Sequence, residues 1–102
     1  MKTIKVGTAT MNVEFSFNSF RYMQDFDMGK FAEMGDKPFM IIGIIEDLLR
    51  GALNHDRKVI VTDDELMDIT EEIVTSGGTT DVLETLMSAL EESDFFKSLQ
   101  AK

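Results

Sequence analysis

The chain has 102 residues, an apolar fraction of 43% and a formal net charge of −9, which together suit one folded domain and argue against a disordered chain. It contains no cysteine, which excludes a disulfide framework and any site built on a thiolate. Residues 59–96 carry eleven acids and no Lys or Arg, and such a surface repels phosphates and predicts no nucleic-acid partner.

Residues 1–17 predict a β-hairpin. Apolar and polar side chains alternate over residues 3–6 and 11–17, the period of a half-buried strand, with residues 7–10 as the turn. Either Asn18 or Ser19 is expected to cap a helix over residues 20–26. The fold class expected for the single domain is mainly α (α+β), this hairpin followed by four or five helices in a small bundle over residues 18–102.

Residues 39–53 form the most apolar segment, FMIIGIIEDLLRGAL, and predict a helix with an unusually wide apolar face. The segment is shorter than a membrane span and contains charged residues, so no membrane contact is expected. It is either the central core helix or a helix partly buried by another subunit. For the second alternative, the predicted self-association residues are Met40, Ile44 and Leu48.

Two amphipathic acidic helices are expected to follow. Thr62 and Glu65 have the spacing of a capping box at the start of the first, and Gly77–Gly78 ends it. The second begins at one of the residues 79–81. Each pattern places its apolar residues on one face, which we expect to pack on the core: Leu66, Met67, Ile69, Ile73 and Val74 in the first helix; Val82, Leu83, Leu86, Met87, Ala89 and Leu90 in the second.

The apolar pattern breaks after Glu92. Ser93 or Asp94 can cap a separate short helix that turns the following aromatic residues inward, or the segment can display an apolar patch to a partner. The candidate partner-binding residues are Phe95, Phe96 and Leu99.

No catalytic, cofactor-binding or metal-binding residues are predicted, and we do not expect an enzyme. His55 is the only histidine, which excludes a site built on several imidazoles, and it is expected at a helix end or on the surface. The acids lack the spacing and central Gly of a calcium-binding loop. Residues 1–15 contain no long apolar run of the kind found in a signal peptide.

The order of elements and the stretch VEFSFNSFRYMQDFD resemble the small tail assembly chaperones of long-tailed, siphovirus-like phages and prophages, especially those of Gram-positive hosts. The resemblance covers most of the chain, although it depends on layout and on F-x-F-x-x-F-R-Y-M rather than on a catalytic motif. It implies a non-catalytic chaperone that binds the tape measure protein and keeps it soluble until the tail tube assembles.

The resemblance also implies a location in the host cytoplasm, absence from the mature virion, self-association, and a short form beside a frameshifted longer one. The tail tube protein is a candidate second partner. An alternative from another class is a small acidic regulator, such as an inhibitor that mimics nucleic acid. The acidic half would then be a binding surface, whereas in the simplest interpretation it is a solvated face.

Overall fold

The computed structural model describes residues 2–24, 29, 39–55, 61–94 and 97–98, and it opens on the predicted hairpin. Strands β1 (Lys2–Val6) and β2 (Ala9–Val13) pair antiparallel, with Ile4 opposite Met11 and Val6 opposite Ala9. The connecting loop has only two residues, and Gly7 has a φ of 62°. A positive φ at the first loop position alone matches a type II′ turn, in which Gly avoids the steric cost that other residues meet.

The second strand ends earlier than the alternation predicts, and helix α1 (Phe17–Arg21) begins where we expected strand. Ser16 precedes the helix as its N-cap, and its backbone N–H donates to Ser19 Oγ at 2.9 Å. The prediction of Asn18 or Ser19 as the cap is therefore wrong. Because the helix begins early, Phe17 points away from the core and is 74% exposed, whereas Phe15 is buried.

Helix α2 (Met40–Leu53) matches the predicted apolar helix and lies at the centre of the fold. It contacts β2, α1 and both later helices. Its side chains with no exposed surface are Ile45, Leu48, Leu49 and Ala52. Burial of a complete Leu or Ile side chain stabilises a fold by about 1.5–3 kcal/mol, so this face makes α2 the main source of core stability. The first alternative from the sequence, a central core helix, is the one observed.

The C-terminal end of α2 is fixed by hydrogen bonds of Asn54, which is buried rather than part of a polar surface stripe. Asn54 Nδ2 donates to the Arg50 carbonyl at 2.8 Å, and Asn54 Oδ1 accepts from the Val61 N–H at 2.7 Å. The Asn54 carbonyl accepts from Asn18 Nδ2 at 2.7 Å. The side chain and backbone carbonyl of Asn54 thus connect the end of α2 to Val61, seven residues later, and to Asn18 in α1.

Helix α3 (Asp63–Thr75) begins as the capping pattern predicts. Thr62 Oγ1 accepts from the Glu65 N–H at 3.3 Å, and the Thr62 hydroxyl donates to Glu65 Oε1 at 3.1 Å. Leu66 and Ile73 are buried on the expected face. That face differs from the prediction in two places, because Thr70 is buried in it and Met67 is exposed.

Helix α4 (Thr79–Glu92) starts at the first of the expected positions, without a side-chain cap. Its predicted core face is observed, with Val82, Leu86, Ala89 and Leu90 buried and Leu83 and Met87 packed against the core. The helix stops at Ser93, whose backbone is extended, and whose hydroxyl donates to the Leu90 carbonyl at 2.7 Å. The Lys97 N–H donates to the Ser93 carbonyl at 3.1 Å.

The hairpin packs against the C-terminal helices. Strand β1 contacts α4 and α3, and Lys2 Nζ lies 3.4 Å from Glu92 Oε1. The apolar faces of the hairpin and of α2, α3 and α4 meet in one continuous core. The predicted fold class, mainly helical with an N-terminal β-hairpin followed by helices, is confirmed, with four helices in the described part of the chain.

Candidate functional site: an apolar groove between two helices

Three large apolar side chains are exposed on adjacent turns of α2 and α3. Phe39, which precedes α2, is 84% exposed, Met67 on α3 is 61% exposed and Ile42 is 39% exposed. Residues three apart on a helix lie on the same side, so Phe39 and Ile42 are neighbours. Clustered exposed apolar side chains are a common sign of a binding surface, whereas single ones are ordinary.

A groove of about 280 Å³ runs between α2 and α3 beside these residues. We call it the α2/α3 groove, and it is lined by Ile42, Glu46, Met67, Thr70, Glu71, Val74 and Thr75. The two helices are antiparallel, because Arg50 near the end of α2 pairs with Asp63 at the start of α3, at 3.3 Å between Nε and Oδ1. The part of α3 that forms one wall, from Met67 to Thr75, is about 12 Å long along the helix axis, at about 1.5 Å per residue.

The floor of the groove contains a buried threonine, Thr70. The residue is 2% exposed, and its Oγ1 has no hydrogen-bond partner within the described part of the chain. A buried hydroxyl without a partner costs a fold about 1–3 kcal/mol. The hydroxyls of Thr75 and Thr85, by contrast, donate to helix carbonyls one turn earlier, at 2.8 Å and 2.9 Å.

Within the part of the chain that the structure describes, the charged side chains that line the groove are acidic. Glu46 and Glu71 line it, and the outward side of α3 adds exposed carboxylates at Asp64, Asp68 and Glu72. Arg50 does not offset them within the groove, because its guanidinium contacts Asp47 Oδ1 at 2.9 Å and Asp63 at the opposite end of α3. The apolar surface is therefore set in a negative field, which attracts cationic groups and repels anionic ones.

The residues predicted for self-association are mostly in the interior. Ile44 and Leu48 are buried within the single chain, packed among the other core residues, so they are not available to a second copy in this conformation. The acidic helices and the hairpin cover that side of α2, and self-association through these residues stays a prediction. Met40 is half-buried at the start of the helix. Phe95, Phe96 and Leu99 lie outside the described residues.

His55 follows the end of α2, at a helix end as predicted. Its Nδ1 lies 2.8 Å from the Ala52 carbonyl, and its Nε2 lies 3.8 Å from Glu14 Oε2. Its own carbonyl accepts from the Ser16 hydroxyl at 2.8 Å. These contacts fix the junction between α1 and α2, and they give His55 a structural role.

Within residues 2–24, 29, 39–55, 61–94 and 97–98, no three or more His, Asp or Glu side chains come together in an arrangement that could hold a metal ion. No helix among those residues has both the length and the apolarity that a membrane crossing requires. Comparisons with protein-family models, with curated proteins and with solved structures found no match to this chain.

The sequence interpretation did not find the α2/α3 groove. Met67 belongs to the apolar face of α3 by its spacing and was expected in the core, and Ile42 lies within the wide apolar face of α2. One signal was available: the apolar arc of α3 is wider than a single neighbouring helix covers, so a residue at its edge stays outside the contact.

Proposed function

We propose that this chain is a non-catalytic tail assembly chaperone of a long-tailed phage. It binds the tape measure protein in the host cytoplasm, keeps it soluble until the tail tube assembles around it, and is not retained in the virion. The observation that carries the proposal is the α2/α3 groove, an exposed apolar surface on a rigid two-helix base, surrounded by acids.

A chaperone of this kind needs a surface that binds apolar segments and a surface that keeps the complex in solution. The groove offers the first in Ile42 and Met67, beside the exposed Phe39. The acidic residues of α3 and α4 offer the second, since a high like charge keeps complexes apart. Neither function requires a reacting group, in keeping with a non-catalytic role.

The identity of the partner comes from the sequence resemblance. The stretch VEFSFNSFRYMQDFD and the order of elements resemble the tail assembly chaperones, and that family binds the tape measure protein. The fold is compatible with the proposal because its hairpin and four helices follow the expected order. Self-association belongs to the proposal as well, through a surface other than the buried Ile44 and Leu48.

The direct test is the solubility of the tape measure protein. Fragments of the tape measure protein from the same genome are expressed alone, with this chain, and with an unrelated acidic protein of similar size as the control. We expect the soluble fraction to rise severalfold only with this chain, and the two proteins to co-purify. Equal solubility in all three samples would refute the proposal, as would co-purification with a nuclease, which is the result that an acidic nucleic-acid mimic predicts.

A further inference from the structure

We infer that the α2/α3 groove binds one amphipathic α-helix of a partner protein whose apolar anchors are flanked by Lys or Arg. The inference rests on the proposed function in one respect, that the partner is a protein kept in solution by this chain. It adds the site on this chain, the secondary structure of the bound segment and the charge of that segment.

The form of the groove favours a helical occupant. Both walls are α-helices, whose interior backbone N–H and C=O groups are already paired within the helix. An extended segment would therefore find no backbone partners for its own polar groups, and leaving such groups unpaired in an apolar contact is costly. A helix enters with its backbone bonds made, and it offers apolar side chains at intervals of three and four residues.

The length of the groove fits a short helical contact. The apolar lining of α3 consists of Met67 and Val74, which are seven residues apart and so about 10 Å apart along the axis. Two turns of a partner helix cover the same distance, with anchors at positions i, i+3 or i+4, and i+7. Phe39 is not part of the lining, but it is exposed three residues before Ile42 and adds apolar surface on that side of α2.

The charges decide between a second copy of this chain and a different protein. Glu46 and Glu71 line the groove, and the outward side of α3 is acidic along its length. Two grooves facing each other would bring these carboxylates together, which like-charge repulsion disfavours. A helix with Lys or Arg beside its apolar anchors brings charges of the opposite sign to the same positions.

The test uses the full-length protein and two synthetic, fluorescently labelled peptides of about five helical turns, about 18 residues. Both carry Leu at positions i, i+3, i+4 and i+7. One has Lys at the flanking positions and the other has Glu. We expect the Lys peptide to bind at least about tenfold more tightly in low salt, and the difference to shrink in high salt as the charges are screened. Equal affinity of the two peptides would overturn the inference.

Variants of the groove are compared with matched variants elsewhere. Met67→Gln replaces an exposed apolar side chain with a polar one of similar length. We expect it to lower the affinity for the Lys peptide about tenfold. Phe17→Gln makes a similar change on α1, outside the groove lining, and should alter the affinity by less than about twofold. Equal effects of the two changes would place the binding surface elsewhere.

The charge of the groove is tested in the same way. Glu71→Lys and Glu84→Lys change the net charge equally, but only Glu71 lines the groove. We expect Glu71→Lys to lower the affinity for the Lys peptide about fivefold and Glu84→Lys to lower it less than about twofold, because screening limits the reach of an exposed charge. Equal losses would show that only the overall charge matters and would overturn the inference.

The peptides also separate this inference from the proposed function. If the wild-type chain and Met67→Gln solubilise tape measure fragments equally and neither peptide binds, the groove inference fails while the proposed function stands. If the Lys peptide binds as expected and no tape measure fragment is solubilised, the proposed function fails and the groove inference stands. A wild-type dimer that Met67→Gln dissociates would identify a second copy as the occupant and overturn the inference.

Discussion

The two ends of α2 have opposite environments. At the C-terminal end, Asn54 is buried and hydrogen-bonded to two other segments, and Gly51 is covered by Met23 and Phe15. At the N-terminal end, Phe39 and Ile42 are exposed, and no atom of the described residues lies within 4 Å of the position that a Cβ would take at Gly43. One helix thus has a C-terminal end that is buried and hydrogen-bonded and an N-terminal end with exposed apolar side chains. Its composition is similar at both, so packing neighbours create the difference.

The variant with the largest expected effect on this contrast is Asn54→Ala. The change removes the acceptor of the Val61 N–H and the donor to the Arg50 carbonyl in a buried place. We expect the free energy of unfolding to fall by about 3 kcal/mol, since buried groups lose their partners. Urea denaturation measures it.

The matched change at the open end is Ile42→Gln, which should cost less than about 0.5 kcal/mol because the side chain is partly in water already. If the two variants lose equal stability, the ends of α2 do not differ in the way that their packing indicates.

A second test makes the same substitution at both ends. In Gly51→Ala, the new Cβ would lie 2.6 Å from Met23 Cγ and 3.2 Å from Phe15 Cε1, so Met23 must move. We expect a loss of about 2 kcal/mol in the free energy of unfolding, a typical cost of overpacking.

In Gly43→Ala no atom of the residues that the structure describes lies within 4 Å of the new Cβ, and Ala is the better helix former. That variant should gain about 0.5–1 kcal/mol. Thermal denaturation followed by circular dichroism measures both, and opposite signs are the expected result. A gain in both variants would mean that the contact with Met23 is loose.

A third test, with a smaller expected effect than Asn54→Ala or Gly51→Ala, concerns the floor of the groove. Thr70→Val replaces a buried hydroxyl that has no partner in the described part of the chain with a methyl group of similar size. We expect a gain of about 1 kcal/mol in the free energy of unfolding, because the desolvated hydroxyl no longer has to be accommodated. Chemical denaturation at a single temperature is sufficient to detect it.

Thr85→Val is the control, since the Thr85 hydroxyl donates to the Asp81 carbonyl at 2.9 Å. It should change stability by less than about 0.5 kcal/mol. An equal gain in the free energy of unfolding at both positions would reflect a general preference for Val. It would contradict the claim that the unpaired Thr70 hydroxyl destabilises the fold.

Local signals in the sequence predicted much of the fold. The Thr62–Glu65 pattern located the start of α3, and the apolar run located α2 to within a residue of its observed start. These features depend on neighbours in the chain, through capping and helical periodicity. Phe17 was misassigned because the alternation of Phe15 and Phe17 continues the strand period past the point where Ser16 starts a helix.

Neither the candidate groove nor the buried junction at Asn54 was predictable in the same way. Asn54 has the spacing of a polar surface residue, and only the approach of Val61 and Asn18 makes it a buried junction. Met67 has the spacing of a core residue, and only the position of α2 leaves it outside. Both outcomes depend on how elements distant in sequence pack, which periodicity within one helix does not specify.

The contact between β1 and α4 has a consequence for the order of events during synthesis. Strand β1 is synthesised well before α4, against which it packs, and Lys2 pairs with Glu92 across nearly the whole described chain. Contacts between such distant residues form late and slow folding. The part of the hairpin that packs on α4 therefore stays uncovered until α4 has been translated, even where α2 and α3 already contact the hairpin. Until then, the nascent chain itself is an exposed apolar segment that needs protection from aggregation.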